Sequence, residues 1–320
     1  MWIPAWLSAR GNLLVVLGTL LLAISLACST TTPAPAAGVA AGESSPLPGG
    51  PQFSAILVTS DLAVGANRVS FGLIDRDGMP VRTDEAQVQS VYFAPGDNQG
   101  QVKQTVIAEF REWPPTGTRG VFVTNLEFDV AGEGTTASPG YWELKITATT
   151  GEGVAVEAQT AVRVAARSST PGIGELVPRS VTPTGRDTDD LSTISSANPP
   201  DPSLYQLSID QALDQGKPLV VVFASPAFCV SATCGPQVEM VSQVQERHQG
   251  EANFIHVEVF ENPHLMQGGR PSGGWVATVD EWGMLSEPWT FVIDGDGRLH
   301  AKFEQFVPAA EIEAALREVL

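Results

Sequence analysis

The chain has 320 residues, room for about two domains, and its 36 acidic against 18 basic side chains give a formal net charge of −18. So acidic a surface repels a phosphate backbone, which argues against a nucleic-acid partner. A hydrophobic content of 43% excludes a wholly disordered chain, and only three cysteines exclude a disulfide-dense scaffold.

The first residues of the chain predict an export signal. Residues 1–12 carry one charge, Arg10, and residues 13–27 form an apolar run that is short for a membrane-spanning helix of about 20 residues. The run ends in Ser25-Leu26-Ala27-Cys28, which resembles the lipobox of bacterial lipoproteins, although Ser25 stands where leucine is commoner. The resemblance implies that residues 1–27 are a lipoprotein signal peptide and that Cys28 is lipidated. An ordinary signal peptide and an uncleaved short anchor are the alternatives.

The next segment predicts a tether. Residues 28–52 consist mainly of Ser, Thr, Pro, Ala and Gly and cannot bury a core, so we expect them to be disordered. With a lipid anchor at Cys28, this tether would hold the folded part off the outer face of the cytoplasmic membrane. Disulfides persist in such an extracytoplasmic location.

Residues 53–166 predict an all-β domain. Seven short runs alternate apolar and polar side chains, and turns rich in Gly and Pro separate them. The runs are 56–62, 69–75, 88–94, 102–110, 120–128, 141–149 and 154–164. The strand after Pro139-Gly140 resembles one in immunoglobulin-like and copper-resistance-type sandwich domains, which implies an immunoglobulin-like β-sandwich. The copper-binding members use His and Met, and here only Met79 is present, so no metal is predicted.

A linker is expected between this domain and the rest of the chain. Residues 167–203 are rich in Ser, Thr, Pro and Asp and show no apolar period. A loop of this length is unusual inside one compact domain, so the segment indicates a domain boundary.

Residues 204–320 show the pattern of an α/β domain. Residues 209–213 predict a short helix, and the apolar run 219–223 is typical of a strand that is buried on both faces. The further predicted elements are, in chain order, a helix at 238–248, strands at 254–260, 289–293 and 298–303, and a helix at 308–320.

Four stretches of this region resemble thioredoxin. KPLVVVFASPAFC (217–229) is similar to the strand that leads to the thioredoxin active site, and TCGPQVEMV (233–241) to the Cys-Gly-Pro start of the next helix. VEVFENP (257–263) and WGMLSEPWTFVIDGDGRL (282–299) are similar to the following strand and to the segment with the cis-proline. The resemblance covers the C-terminal third and implies a thioredoxin-like fold, in which Pro288 is the cis-proline that shapes the substrate groove.

The cysteine pair departs from the thioredoxin pattern. Cys229 and Cys234 are separated by Val-Ser-Ala-Thr instead of two residues, and Gln237 replaces the second cysteine when Cys-Gly-Pro is aligned. The acid that many thioredoxins bury in the first strand would fall near Val222. Glu258, on the neighbouring strand, could replace it as a proton acceptor.

The pair nevertheless predicts redox chemistry. A helix that begins near Cys234 would lower the pKa of its thiol through partial positive charge and free N–H groups. We therefore expect Cys234 to attack the substrate and Cys229 to resolve the mixed disulfide. The predicted function is thiol–disulfide exchange with a protein or small-thiol substrate, without cofactor or metal. A membrane redox partner of unknown identity would recycle the pair.

Other functions fit the same residues. The disulfide could be an inert structural bond in a non-enzymatic binding module whose N-terminal domain makes the useful contact. Alternatively, the two cysteines with His256 or His264 could form a Cu(I) site like that of thioredoxin-fold copper chaperones, although the cysteine spacing is one residue too long. A peroxiredoxin-like activity is not favoured, because Pro288 stands where that family has arginine.

Overall fold

A computed structural model describes residues 50–113, 119–135, 139–267 and 270–320. The predicted signal peptide (1–27), the lipidation site Cys28 and the tether up to residue 49 lie outside the described residues. Within the described ranges, no helix is both long and apolar enough to cross a membrane.

Seven antiparallel strands form one sheet in the N-terminal domain, in the order β1-β2-β5-β4-β3-β6-β7. They are β1 (Phe53–Leu57), β2 (Gly65–Asp75), β3 (Glu85–Phe93), β4 (Gln101–Trp113), β5 (Arg119–Phe128), β6 (Tyr141–Thr149) and β7 (Ala155–Val162). The sheet curls until β1 and β7 contact each other, which gives a barrel-like or sandwich-like shape.

The period-two pattern of the sequence accounts for the core of this domain. On β6, Trp142, Leu144 and Ile146 are buried, and they alternate with partly or fully exposed residues. They pack with aromatic rings of β2 and β5, including Phe71 and Phe122. The predicted all-β domain is therefore confirmed, whereas its immunoglobulin-like assignment stays a prediction.

The C-terminal domain is built on a four-stranded sheet in the order β13-β12-β8-β9, in which β9 runs parallel to β8 and the other neighbours are antiparallel. Its elements are α1 (Ile209–Asp214), β8 (Leu219–Ala224), α2 (Cys234–Arg247), β9 (Asn253–Glu258), β10 (Met266–Gln267), β11 (Arg270–Pro271), α3 (Ala277–Glu281), β12 (Trp289–Ile293), β13 (Leu299–Glu304) and α4 (Ala309–Arg317). The predicted order is confirmed, and the small β10–β11 hairpin and α3 are additions to it.

The central strand β8 is buried on both faces, as its unbroken apolar run predicts. Val220 and Val222 face a core that includes residues of α2 and α4. Val221 and Phe223 face a second core on the other side, where the ring of Phe223 lies 5.1 Å from that of Trp282. The strand therefore fixes the loop that follows it between two packed layers.

Residues 167–203, which we call the strap, are the segment that the sequence assigns to a linker. Apart from two short 3₁₀ turns, Leu191–Thr193 and Pro202–Tyr205, the strap is irregular, yet it packs along the C-terminal domain. Val177 is buried in the core that contains Phe223, and the Gly174 N–H donates to the Leu299 carbonyl at 2.7 Å. From Gly174 onward the strap therefore packs on the C-terminal domain, whereas at its start Ser169 and Thr170 donate hydrogen bonds to Asp61 of the N-terminal domain.

The N-terminal sheet contacts β13, the edge strand of the C-terminal sheet, and α4. Lys302 of β13 pairs with Asp61 at 3.3 Å, and the Ser60 N–H donates to the Glu304 carboxylate at 2.7 Å. Arg68 on β2 donates two hydrogen bonds, of 2.7 and 3.1 Å, to the carboxylate of Glu311 on α4. The two domains are therefore joined by charged groups that are largely buried.

Candidate active site

The two cysteines meet in the loop between β8 and α2. The Ser225 carbonyl at the end of β8 accepts hydrogen bonds from the N–H groups of Phe228 and Cys229, at 3.1 and 3.0 Å, which turns the chain back on itself. Cys229 and Cys234 form a disulfide with a Cα–Cα separation of 5.9 Å, inside the usual range of about 4.4–6.8 Å. The pair that the sequence singled out is thus bonded.

The two sulfur atoms differ in exposure. Cys234 is the first residue of α2 and is completely buried, whereas Cys229 is half-buried and is followed by the fully exposed Val230. An incoming thiolate can therefore approach Cys229 but not Cys234. These exposures favour Cys229 as the sulfur that a substrate reaches first, whereas the sequence prediction gave the attacking role to Cys234. The sequence held a signal of this burial, because Cys234, Val238 and Val241 share the buried face of α2.

The loop before β12 forms a second side of the site. The Glu287–Pro288 peptide bond is cis, as the thioredoxin resemblance implies. Gln305, at the end of β13, donates from its side chain to the Glu287 carbonyl at 2.9 Å and from its N–H to the Pro288 carbonyl at 2.8 Å. Its side-chain oxygen accepts from the Thr233 hydroxyl at 3.4 Å, next to the start of α2. Gln305 thus holds the proline loop beside Cys234.

The carboxyl group of Glu287 points at the disulfide. Its Oε2 lies 3.5 Å from Cys234 Sγ. One carboxylate oxygen of Glu287 and the two sulfur atoms all lie within 4.8 Å of one another. Burial and, to a smaller extent, the negative charge of Glu258 together raise the pKa of Glu287 to about 7, and a backbone hydrogen bond from Ser225 partly opposes them. Sequence reasoning missed this residue, although it directly precedes Pro288.

Glu258, the acid proposed from the sequence as proton acceptor, has a different environment. It ends β9 opposite Ala224 and is only 5% exposed. Its carboxylate accepts a hydrogen bond of 2.8 Å from the N–H of Ser196 in the strap. Glu258 therefore acts on the site through its charge, whereas Glu287 is the acid beside the sulfur atoms.

The histidines proposed as copper ligands do not join the cysteines. His256 is buried, its Nε2 donates to the Ala224 carbonyl at 3.0 Å, and its Nδ1 therefore accepts from the Tyr205 hydroxyl at 2.6 Å. Burial lowers the pKa of His256, which keeps the ring neutral. His264 is exposed on a loop. Neither histidine belongs to the group of ligand-type atoms at the disulfide in the described residues, so the Cu(I) hypothesis lacks its third ligand.

Gln237, which occupies the place of the second thioredoxin cysteine, fastens α2 to the sheet. It is fully buried, and its side-chain amide donates to the Thr290 hydroxyl at 2.9 Å. Its side-chain oxygen accepts from the Val307 N–H at 2.8 Å. Because both ends of the amide are occupied, this position anchors the helix that carries Cys234 and takes no part in sulfur chemistry.

Comparison with known proteins assigns the C-terminal domain. A family model described as a thioredoxin-like domain matches residues 205–320. A thiol:disulfide interchange protein of the thioredoxin family from Chlorobium tepidum is 17% identical over 32% of this chain and 80% of its own, with a TM-score of 0.24. Dimeric latent PorU from Porphyromonas gingivalis is 14% identical over 39% of this chain and 13% of its own, with a TM-score of 0.21. A search of curated proteins finds no match.

Proposed function

We propose that the thioredoxin-like domain of residues 205–320 catalyses thiol–disulfide exchange through Cys229 and Cys234, with a protein or a small thiol as substrate. The observation that carries this proposal is the asymmetry of the disulfide: one sulfur is half-exposed, and the other is buried at the first turn of α2 beside the cis-proline loop. An inert bond would need neither an accessible sulfur nor a helix N-terminus to stabilise a thiolate.

The reaction that we propose opens the disulfide from its exposed side. A substrate thiolate attacks Cys229 Sγ, the Cys229–Cys234 bond breaks, and its electron pair leaves with Cys234 as a thiolate. A second substrate thiolate then attacks the substrate sulfur of the mixed disulfide, which releases an oxidised substrate and the Cys229 thiolate. The reverse sequence oxidises the pair and reduces a substrate disulfide. Pro288, in the adjoining loop, is proposed to shape the wall of the substrate groove.

The test is the reduction potential of the pair in the full chain with Cys28→Ser, so that only two thiols report. Thiol trapping across glutathione buffers should give a reversible midpoint between about −120 and −270 mV, the range of working oxidoreductases. A Cys229→Ala/Cys234→Ala chain serves as the background control. A pair that is still oxidised below about −300 mV, or that never forms its bond, would contradict the proposal and favour the binding-module hypothesis.

We also propose that the chain works as a lipoprotein on the outer face of the cytoplasmic membrane. Support comes from the apolar run 13–27, the lipobox-like end at Cys28 and the tether-like composition that follows. Fractionation of producing cells should place the wild-type chain with membranes and release a Cys28→Ser chain from them. Equal membrane association of both chains would show that lipidation of Cys28 is not the anchor.

A further inference from the structure

We propose that Glu287 is the proton donor and acceptor for Cys234 in this exchange, an inference that rests on the proposed function. When the disulfide opens, the Cys234 thiolate takes the proton of the Glu287 carboxyl group, leaving a thiol and a carboxylate. When the disulfide closes, the Glu287 carboxylate removes the proton from Cys234, and the resulting thiolate attacks Cys229 Sγ of the mixed disulfide. The bond between Cys229 and the substrate breaks, and the substrate leaves as a thiolate. No other reactant is needed in either direction.

The first argument is access to a proton. Cys234 is 0% exposed, so its thiolate would form inside the core, where water cannot protonate it and an unpaired charge is costly. The Glu287 carboxyl, with Oε2 at 3.5 Å from the sulfur, is the acid that touches it. At this distance the carboxyl group is already within the reach of a hydrogen bond to sulfur.

The second argument is electrostatic. Glu287 has three kinds of neighbour: the buried carboxylate of Glu258 on β9, the two cysteines, and the neutral side-chain amide of Gln305. Burial and the charge of Glu258 hold the pKa of Glu287 near 7. A carboxylate and a thiolate this close repel each other, so one proton shared between them is the stable arrangement. An acid with a pKa near the working pH is also suited to both donate and accept.

The position of Glu287 makes the assignment specific. Its main-chain carbonyl is fixed by Gln305, and the next residue is the cis-proline, so the carboxyl group is carried by the same loop that borders the substrate groove. Glu258 cannot take this role, since its carboxylate is engaged by the Ser196 N–H and lies outside the group of three atoms at the disulfide.

The experiment measures the rate at which a small dithiol reduces the pair, from pH 5 to 9, in the full chain with Cys28→Ser. Each rate is divided by the fraction of the dithiol that is ionised at that pH. The corrected rate then depends on pH only through groups of the protein. In the wild-type site the corrected rate should be high below pH 7 and fall above it, because Glu287 then lacks the proton that it donates. In Glu287→Gln the inflection should vanish, and the rate at pH 6 should fall at least about tenfold.

A matched control is Glu261→Gln, which changes an exposed acid just beyond β9 and should keep the wild-type profile. The inference is overturned if the corrected rate of the unsubstituted site shows no inflection near pH 7. This test does not depend on the folding of any variant. It is also overturned if a folded Glu287→Gln chain retains that inflection. Failure of the unsubstituted pair to exchange at any pH would instead contradict the proposed function.

Discussion

The two sulfur atoms of one disulfide occupy chemically different places. Cys229 Sγ is within reach of solvent, and its loop neighbour Val230 is fully exposed. Cys234 Sγ lies inside the core with residues of α2 and faces a carboxyl group. Exchange depends on which sulfur can be reached and on how well the leaving thiolate is stabilised. In the proposed reaction, the substrate therefore attacks Cys229 and the electron pair of the broken bond leaves with Cys234.

Single substitutions should reveal this asymmetry. In a Cys28→Ser background, Cys234→Ser leaves the accessible Cys229, which should react with iodoacetamide at least about tenfold faster than the buried Cys234 left by Cys229→Ser. Mass spectrometry of timed samples measures both rates. The two unfolded chains should react equally, which separates burial from intrinsic reactivity. Equal rates in the folded chains would contradict the assigned roles.

For single residues, the sequence predicted which residues belong to the site better than it predicted what each of them does. The spacing of the cysteines and the position of Pro288 followed from the resemblance to thioredoxin. The exposure of each sulfur depends on how α2 packs, which helix polarity alone does not predict. Glu287 was missed because its proximity to Cys234 requires a contact between two segments that are 53 residues apart.

Individual buried residues attach the strap to the C-terminal domain, and no regularly spaced apolar face of a helix or strand takes part. Val177 fills the core of the C-terminal domain, and the Ser180 hydroxyl accepts from the Trp282 indole N–H at 3.1 Å. Gly283, with φ of +63°, lies so close to the Ser169 carbonyl that any side chain would collide with it. The strap therefore stabilises the domain although it contains neither strand nor α-helix.

Val177→Ala should lower the free energy of unfolding by about 2 kcal/mol, because it removes methyl groups from a closed core. Val181→Ala, in the same segment, is the matched control: this side chain is 80% exposed, and the change should stay within about 0.5 kcal/mol. Urea denaturation of both full-length variants measures the difference. Equal losses of unfolding free energy in the two variants would show that Val177 contributes no more to stability than an exposed side chain of the strap.

Strands and helices with a clear apolar period were the elements that the sequence predicted well. All seven strands of the N-terminal sheet and the order of β8, α2, β9, β12, β13 and α4 are present. The packing of the strap could not be predicted, because isolated buried residues such as Val177 leave no period in a polar segment. The β10–β11 hairpin was missed because its strands have two residues each, too few for any pattern.

The two domains form one structural unit through buried charge. Burial alone would raise the pKa of Asp61, but hydrogen bonds from Ser168, Ser169 and Thr170 and the positive charge of Lys302 together lower it to about 2. A carboxyl group whose pKa falls on folding stabilises the folded chain at pH values above its ordinary pKa, which is near 3.8. This stabilisation is lost as the pH falls towards 2. The domain contact should thus weaken in acid.

Lys302→Met should lower the free energy of unfolding by about 3 kcal/mol at neutral pH, since it leaves the buried Asp61 carboxylate without its cation. Its acid transition should also move to higher pH, because the pKa of Asp61 is no longer held down by that charge. Lys103→Met is the control: its partner Asp129 is 59% exposed, and the loss should stay below about 1 kcal/mol. Denaturation at pH 7 and at pH 3 measures both, and a similar loss in the two variants would contradict the prediction.

The sequence separated the two domains but gave no sign of their contact. Asp61, Arg68 and Lys302 look like ordinary surface charges in a chain of net charge −18. Their partners are more than 240 residues away, a distance over which no local pattern extends. Only the folded arrangement of β2, β13 and α4 reveals that these charges are shared between domains.

This long separation has a consequence for biosynthesis. Ser60 is made 244 residues before its partner Glu304, a delay on the order of 10–50 s at ordinary ribosomal speed. During that time the N-terminal sheet has to exist with Asp61 lacking Lys302 and Arg68 lacking Glu311. Residues 302–311 therefore complete the domain contact last, and a chain interrupted before them would contain the N-terminal sheet without the ionic partners of Asp61 and Arg68.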